Sequence, residues 1–142
     1  MVGLVVVVTK RWWWQGITIA VSVVAAQSAA RALKHMIQRE RPPVDLSVVQ
    51  VGAFSMPSTV AAVTAAVTVT AYPALPWPME RRRWIAGLIA TLVVSIGIAM
   101  VYLGARWPTD VLAGWGVGVG VAGVVMSLAR VAVRRPIRRS SS

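Results

Sequence analysis

The sequence predicts an all-α protein, a multi-pass transmembrane helical bundle of about four spanning helices plus a remnant of an earlier one. Three observations carry this. Of 142 residues, 57% are hydrophobic and only 13% charged, with a mean hydropathy of +0.69. The charges gather in short segments between long apolar runs, which is how membrane proteins distribute them. Trp12, Trp13, Trp14, Trp77, Trp84 and Trp107 all fall at the ends of those runs, where an interfacial aromatic belt belongs.

The first element is "MVGLVVVV" (1–8). It is apolar but too short to span, and its charges follow it, the wrong order for a signal peptide. It reads as the last turns of an earlier helix. Span one is expected from Trp13 to about Met36, because no charge occurs between Trp12 and Ala30 and a spanning helix needs about twenty such residues. Span two is expected from Pro57, a residue suited to the first helical position, to about Ala74 among Pro73, Pro76 and Pro78. Span three covers Trp84 to Leu103, and span four Pro108 to about Ala129, again with proline at its start. The whole chain, 1–142, reads as one membrane-embedded domain, with 130–142 a basic tail.

Fifteen basic residues stand against four acidic ones, a formal net charge of +11. A soluble protein this basic would point to nucleic acid, but that needs a polar face to carry the charge, and none is present. Lys10, Arg11, Arg81, Arg82, Arg83, Arg130, Arg134, Arg135, Arg138 and Arg139 fall on one side of the predicted spans. Arg31, Lys34, Arg39, Arg41 and Arg106 fall on the other, with three of the four acids. The positive-inside rule makes the first side cytoplasmic, so the C-terminus is expected in the cytoplasm of a cell-membrane protein. The tail then reads as a topology anchor with some capacity to hold anionic lipid. With no cysteine there is no thiolate nucleophile or thiolate metal site. One histidine and four scattered acids argue against a protein-built metal centre, and no cofactor is implied.

Three polar features share the outer side. Arg31, Lys34, Gln38 and Arg41 are spaced by three, four and three, one stripe of a helix. Snorkelling explains long basic side chains near an interface, but not their confinement to one stripe, so an inward-facing anion site competes with it. "FSMPSTVA" (54–61) opens span two, and a helix start offers unpaired N–H groups and a positive dipole end. Ser58 adds a hydroxyl there, whose commoner role is N-capping. "ARWPTD" (105–110) places Arg106 and Asp110 four residues apart, on one helix face, where they can neutralise each other. Three outer-facing elements are thus expected to converge on one anion at the lipid boundary. "GVGVAG" (118–123) matches a dinucleotide fingerprint but follows no strand. With Gly114 and Gly116 it forms Gly-x3-Gly pairs that let membrane helices pack closely, and this Gly-rich span (114–123) is a candidate seam for a partner membrane protein or a homo-oligomer.

Taken together, these residues resemble the type 2 phosphatidic acid phosphatase superfamily, which shares its site with the vanadium haloperoxidases. Lys34, Arg41 and Pro42 match its Lys-x6-Arg-Pro motif. Pro57 and Ser58 match its Pro-Ser-Gly-His motif, with Thr59 and Val60 in place of glycine and histidine. "AMVYLGARWPTDVLAGW" (99–115) aligns with Ser-Arg-x5-His-x3-Asp: Asp110 matches, while Ala99, Met100 and Arg106 replace serine, arginine and histidine. The resemblance implies metal-independent hydrolysis of lipid phosphates and diphosphates. It also implies that a histidine at position 106 attacks phosphorus, that Asp110 orients it, and that a histidine at position 60 protonates the leaving group. Neither histidine is present. A guanidinium is always protonated and cannot attack, and valine moves no proton. His35, the only histidine, follows Lys34 directly and turns about a hundred degrees off the stripe. The chain is therefore expected to be a non-hydrolysing homologue in which Lys34, Arg41 and Ser58 hold a phosphorylated lipid head group. Two alternatives remain: a lipid phosphatase with a rearranged site, and a structural subunit of a membrane complex.

Overall fold

A computed structural model describes residues 2–41 and 54–134, with side chains for 12–41 and 54–132. Pro42 and the tail beyond Arg134 lie outside the described residues. Four α-helices follow one another: α1 (Val2–Ile37), α2 (Thr59–Ala71), α3 (Met79–Tyr102) and α4 (Pro108–Arg134). Among the described residues three segments are long and apolar enough to cross a membrane: Trp12–Ile37, Met79–Tyr102 and Pro108–Ala132.

The opening run is not a separate remnant. It continues without a break into the first span, giving one helix of 36 residues. Lys10 and Arg11 are good helix formers and no proline intervenes, so nothing ends the helix there. The second span also differs from expectation. Pro57 precedes the helix, after a cis Met56–Pro57 bond, and Ser58 is the N-cap of a helix that starts at Thr59. At the far end Pro73 cannot donate to the ladder, and the chain tightens into a 3-10 turn, Tyr72–Ala74. The 13 residues of α2 rise only about 20 Å, short of the hydrocarbon core. α3 starts five residues before Trp84, and α4 carries helix through Arg130 to Arg134.

The alternating direction of the helices gives the bundle two ends. Lys34, Thr59 and Asp110 mark one; Trp14, Tyr72 and Arg130 mark the other. α1, α2 and α4 form the core, with Ala26, Ala66 and Ala122 meeting at its centre. The α2–α4 seam is built from the smallest side chains. A Cβ on Gly114 would run into the Ser58 carbonyl oxygen, and one on Gly118 into that of Ala62. Helix backbones in lipid attract mainly by such close packing. Gly116 and Gly120 face open space instead, so only one of the two predicted glycine pairs packs within the chain. The hydroxyls inside the spans satisfy themselves: Ser22 donates to the Thr18 carbonyl at 2.8 Å and Thr70 to that of Ala66 at 2.7 Å. α3 stands apart, with Gly97 its only buried residue.

Candidate functional site

α1 ends at Ile37, and Gln38 turns into the left-handed region (φ 48°) while its N–H still reaches the Lys34 carbonyl at 3.0 Å. The predicted stripe is therefore broken. Arg31 and Gln38 are exposed, and Arg41 lies beyond the helix. An X-Pro bond disfavours helix at X, so Arg41 before Pro42 leaves the helix. Residues 39–41 then reach the starts of α2 and α4 through contacts with Ser55, Thr109, Asp110 and Ala105.

Asp110 organises that end and is fully buried. Trp107 precedes α4, and its N–H donates to Asp110 Oδ2 at 3.0 Å, the reciprocal half of a capping box. The Ser55 hydroxyl donates to the same oxygen, and the Ser58 N–H reaches the Asp110 backbone carbonyl at 2.9 Å. The ion pair expected between Asp110 and Arg106 does not form. Asp110 pairs with Arg39, at 3.3 Å, and Arg39 also donates to the Thr109 hydroxyl at 2.7 Å and lies over the Trp107 ring. Arg106 instead donates to the Ser55 carbonyl. The reason is the turn at Gln38, which delivers Arg39 to the carboxylate and leaves Arg106 the nearby backbone.

Arg41 donates to the Ala105 carbonyl at 2.8 Å and to the Phe54 carbonyl at 3.1 Å. The Lys34 ammonium reaches the Thr59 hydroxyl at 3.3 Å. Four cationic side chains thus gather round one buried carboxylate, while Glu40 is exposed. Burial pushes the Arg41 guanidinium below its ordinary value, with Asp110 opposing. Arg106 is lowered by burial and then by Arg41, again opposed by Asp110. Both stay charged, since arginine does not deprotonate in proteins.

Ser58 is fully buried, and its Oγ accepts from the Ala61 N–H at 3.3 Å, the N-cap role. Val60 is 45% exposed and presents only methyl groups. Ala99 is exposed and Met100 half-buried on α3. His35 is exposed, with its ring edge-on to Phe54 at 6.2 Å. The structure thus brings Lys34, Arg41, Ser58, Arg106 and Asp110 to one end. Sequence reasoning missed Arg39, Ser55 and Thr59. The signal for Arg39 was Pro42: an extended "RER" before it places Arg39 and Arg41 on one side of a strand-like segment, which a helical reading hides.

Residues 12–134 match the family model of the PAP2 superfamily. Over 122 residues the chain is 32% identical to an undecaprenyl-diphosphatase of Sulfolobus acidocaldarius, an alignment covering 82% of this chain and 56% of that protein. The chain thus spans little more than half the length of that relative. The transmembrane PAP2-type phosphatidylglycerolphosphate phosphatase of Bacillus subtilis superposes with a TM-score of 0.74 at 26% identity, over 99% of this chain and 71% of that one. The helices, the three motifs in order and these matches agree: the chain is a multi-pass membrane protein and belongs to the PAP2 superfamily.

Proposed function

We propose that this protein holds a phosphorylated lipid head group at the Lys34–Asp110 end of the bundle without hydrolysing it. One observation carries the reading. Where the family motif has its attacking histidine stands Arg106, 7% exposed, permanently charged and anchored on a backbone carbonyl. Such a group attracts phosphate oxygens and cannot attack phosphorus. Lys34 and Arg41 supply further positive charge, and the Ser58 hydroxyl and the first N–H groups of α2 supply neutral donors. Beside them a groove of about 400 Å³ between α3 and α4, lined by Ile98, Val101, Val111, Leu112 and Trp115, suits a hydrocarbon chain. The charge asymmetry along the chain supports a cytoplasmic C-terminus, with this site facing outward. A cysteine placed at Met79 should then stay unlabelled by an impermeant thiol reagent in intact cells; labelling there would reverse the orientation.

Binding is tested by titrating inorganic phosphate and phosphatidate in detergent at two salt concentrations. Lys34→Met is the cleaner probe, because the hydrogen bond it removes is to the Thr59 side chain and not to the backbone of the turn. Arg41→Ala also removes the bonds to the Ala105 and Phe54 carbonyls that hold the turn. Each is expected to weaken binding by about 2 kcal/mol, typical of a charge-assisted hydrogen bond. Equal affinity in wild type and in the Lys34→Met, Arg41→Ala double variant would refute a phosphate site. The outward faces of Gly116 and Gly120 would then favour a structural subunit packed against another membrane helix.

A further inference from the structure

We propose that a second lipid site lies at the opposite end of the bundle, in a trough between α1 and α4 that takes one anionic phospholipid. Two adjoining cavities form it, of about 250 and about 310 Å³, sharing Thr18 and Ala129 as common walls. Their characters differ. The first is lined by Gln15, Thr70, Pro73 and Arg130, the second by Trp14, Ile17, Val21, Val125 and Leu128. The trough therefore passes from a cationic, hydrogen-bonding pocket to a channel between two spanning helices that is apolar apart from Thr18, the polarity order of a lipid read from head group to chain.

Charge chooses the head group. No carboxylate lines either cavity. The turn that closes the polar pocket, Tyr72–Ala74, carries a second cation: Arg82 stacks over the Tyr72 ring at 4.5 Å and donates to the Tyr72 carbonyl at 3.2 Å. Its Nε is buried without a hydrogen-bond partner among the described residues. Arg81 and Arg83 are exposed on the next turn, and Glu80 is the only acid among the described residues at this end. An anionic phosphate meets attraction there, whereas a choline head brings its own cation against Arg130. The Gln15 amide and the Arg130 guanidinium offer donors to phosphate oxygens, and Trp14 is placed at the interface, where indole rings anchor. The site shares no lining residue with the Lys34–Asp110 end, so neither proposal depends on the other.

The absence of cysteine permits a clean test. Val124 lies one turn from Leu128 and is exposed. A Val124→Cys protein carrying a fluorophore is titrated with chain-brominated phosphatidylglycerol or phosphatidylcholine, in a Lys34→Met, Arg41→Ala background that silences the other end. Quenching by phosphatidylglycerol is expected at about one-tenth the concentration needed for phosphatidylcholine, the discrimination one charge-assisted hydrogen bond gives. A label on Leu92→Cys of the lipid-facing α3 should show no preference. Arg130→Gln, a substitution at an exposed position, should remove the preference at Val124→Cys, and circular dichroism will show whether the helices are intact. Equal quenching by the two lipids at Val124→Cys, the same preference at Leu92→Cys, or a preference that survives in folded Arg130→Gln would each overturn the site.

Discussion

Asp110→Ala is expected to destabilise the protein by about 3 kcal/mol, the low end of the range for removing one partner of a buried ion pair, because Arg39 remains 38% exposed. The carboxylate is fully buried, and its loss strands three donors together: the Arg39 guanidinium, the Ser55 hydroxyl and the Trp107 N–H. It also removes a negative charge that opposes the burial of Arg41 and Arg106. Asp110→Asn should cost less, since an amide oxygen still accepts from Trp107. Glu40→Ala, at an exposed carboxylate, should change little. Unfolding in mixed detergent, followed by circular dichroism, measures all three. An Asp110→Ala protein within about 0.5 kcal/mol of wild type, the usual range for inert surface changes, would show that the cations do not depend on this carboxylate for their hold on the bundle.

Purified protein is expected to release no phosphate from phosphatidate or from a polyprenyl diphosphate above a blank without protein. General acid–base catalysis alone contributes about 10²–10⁴-fold, and the position that the family resemblance implies for the general acid holds Val60. On the proposed reading nucleophilic attack should fail separately, because a protonated Arg106 has no free electron pair to give. The only histidine sits on an exposed face with its ring against Phe54, on the helix side of the Gln38 turn. Asp110 could not orient it, since both carboxylate oxygens already have partners. Turnover that disappears in His35→Ala would nevertheless overturn the non-hydrolytic reading and name His35 as the nucleophile.

The spanning helices were legible because lipid imposes one rule on every residue between two charged segments. Their ends were less so. Lys10 and Arg11 looked like a boundary, yet charge alone does not stop a helix, and α1 runs through them. Pro57 looked like a first helical residue, but Ser58 supplied the cap and moved the start to Thr59. In the candidate site Lys34, Arg41, Ser58, Arg106 and Asp110 could be singled out from spacing and family resemblance. Their pairing was harder to read, because it depends on one backbone torsion at Gln38, and Pro42 announces only that the helix must end before it. That torsion carries Arg39 to Asp110 and leaves Arg106 to a carbonyl. The division of Gly114 and Gly118 from Gly116 and Gly120 was hidden in the same way, since it depends on the rotation of α4 against α2.

The isolation of α3 has an evolutionary side. Leu88, Leu92 and Ile98 are each more than 60% exposed, and Gly97 alone is enclosed, against Val111 and Trp115. Almost any apolar residue serves at the exposed positions, so drift there alters what the surrounding lipid meets and leaves the bundle as it was. On the α2–α4 seam two backbones touch and the alphabet shrinks to glycine and alanine. A single chain is thus expected to hold one helix that tolerates most apolar exchanges and two whose facing positions tolerate only the smallest residues, so that comparison of homologues should find variation on α3 and little at Gly114 and Gly118.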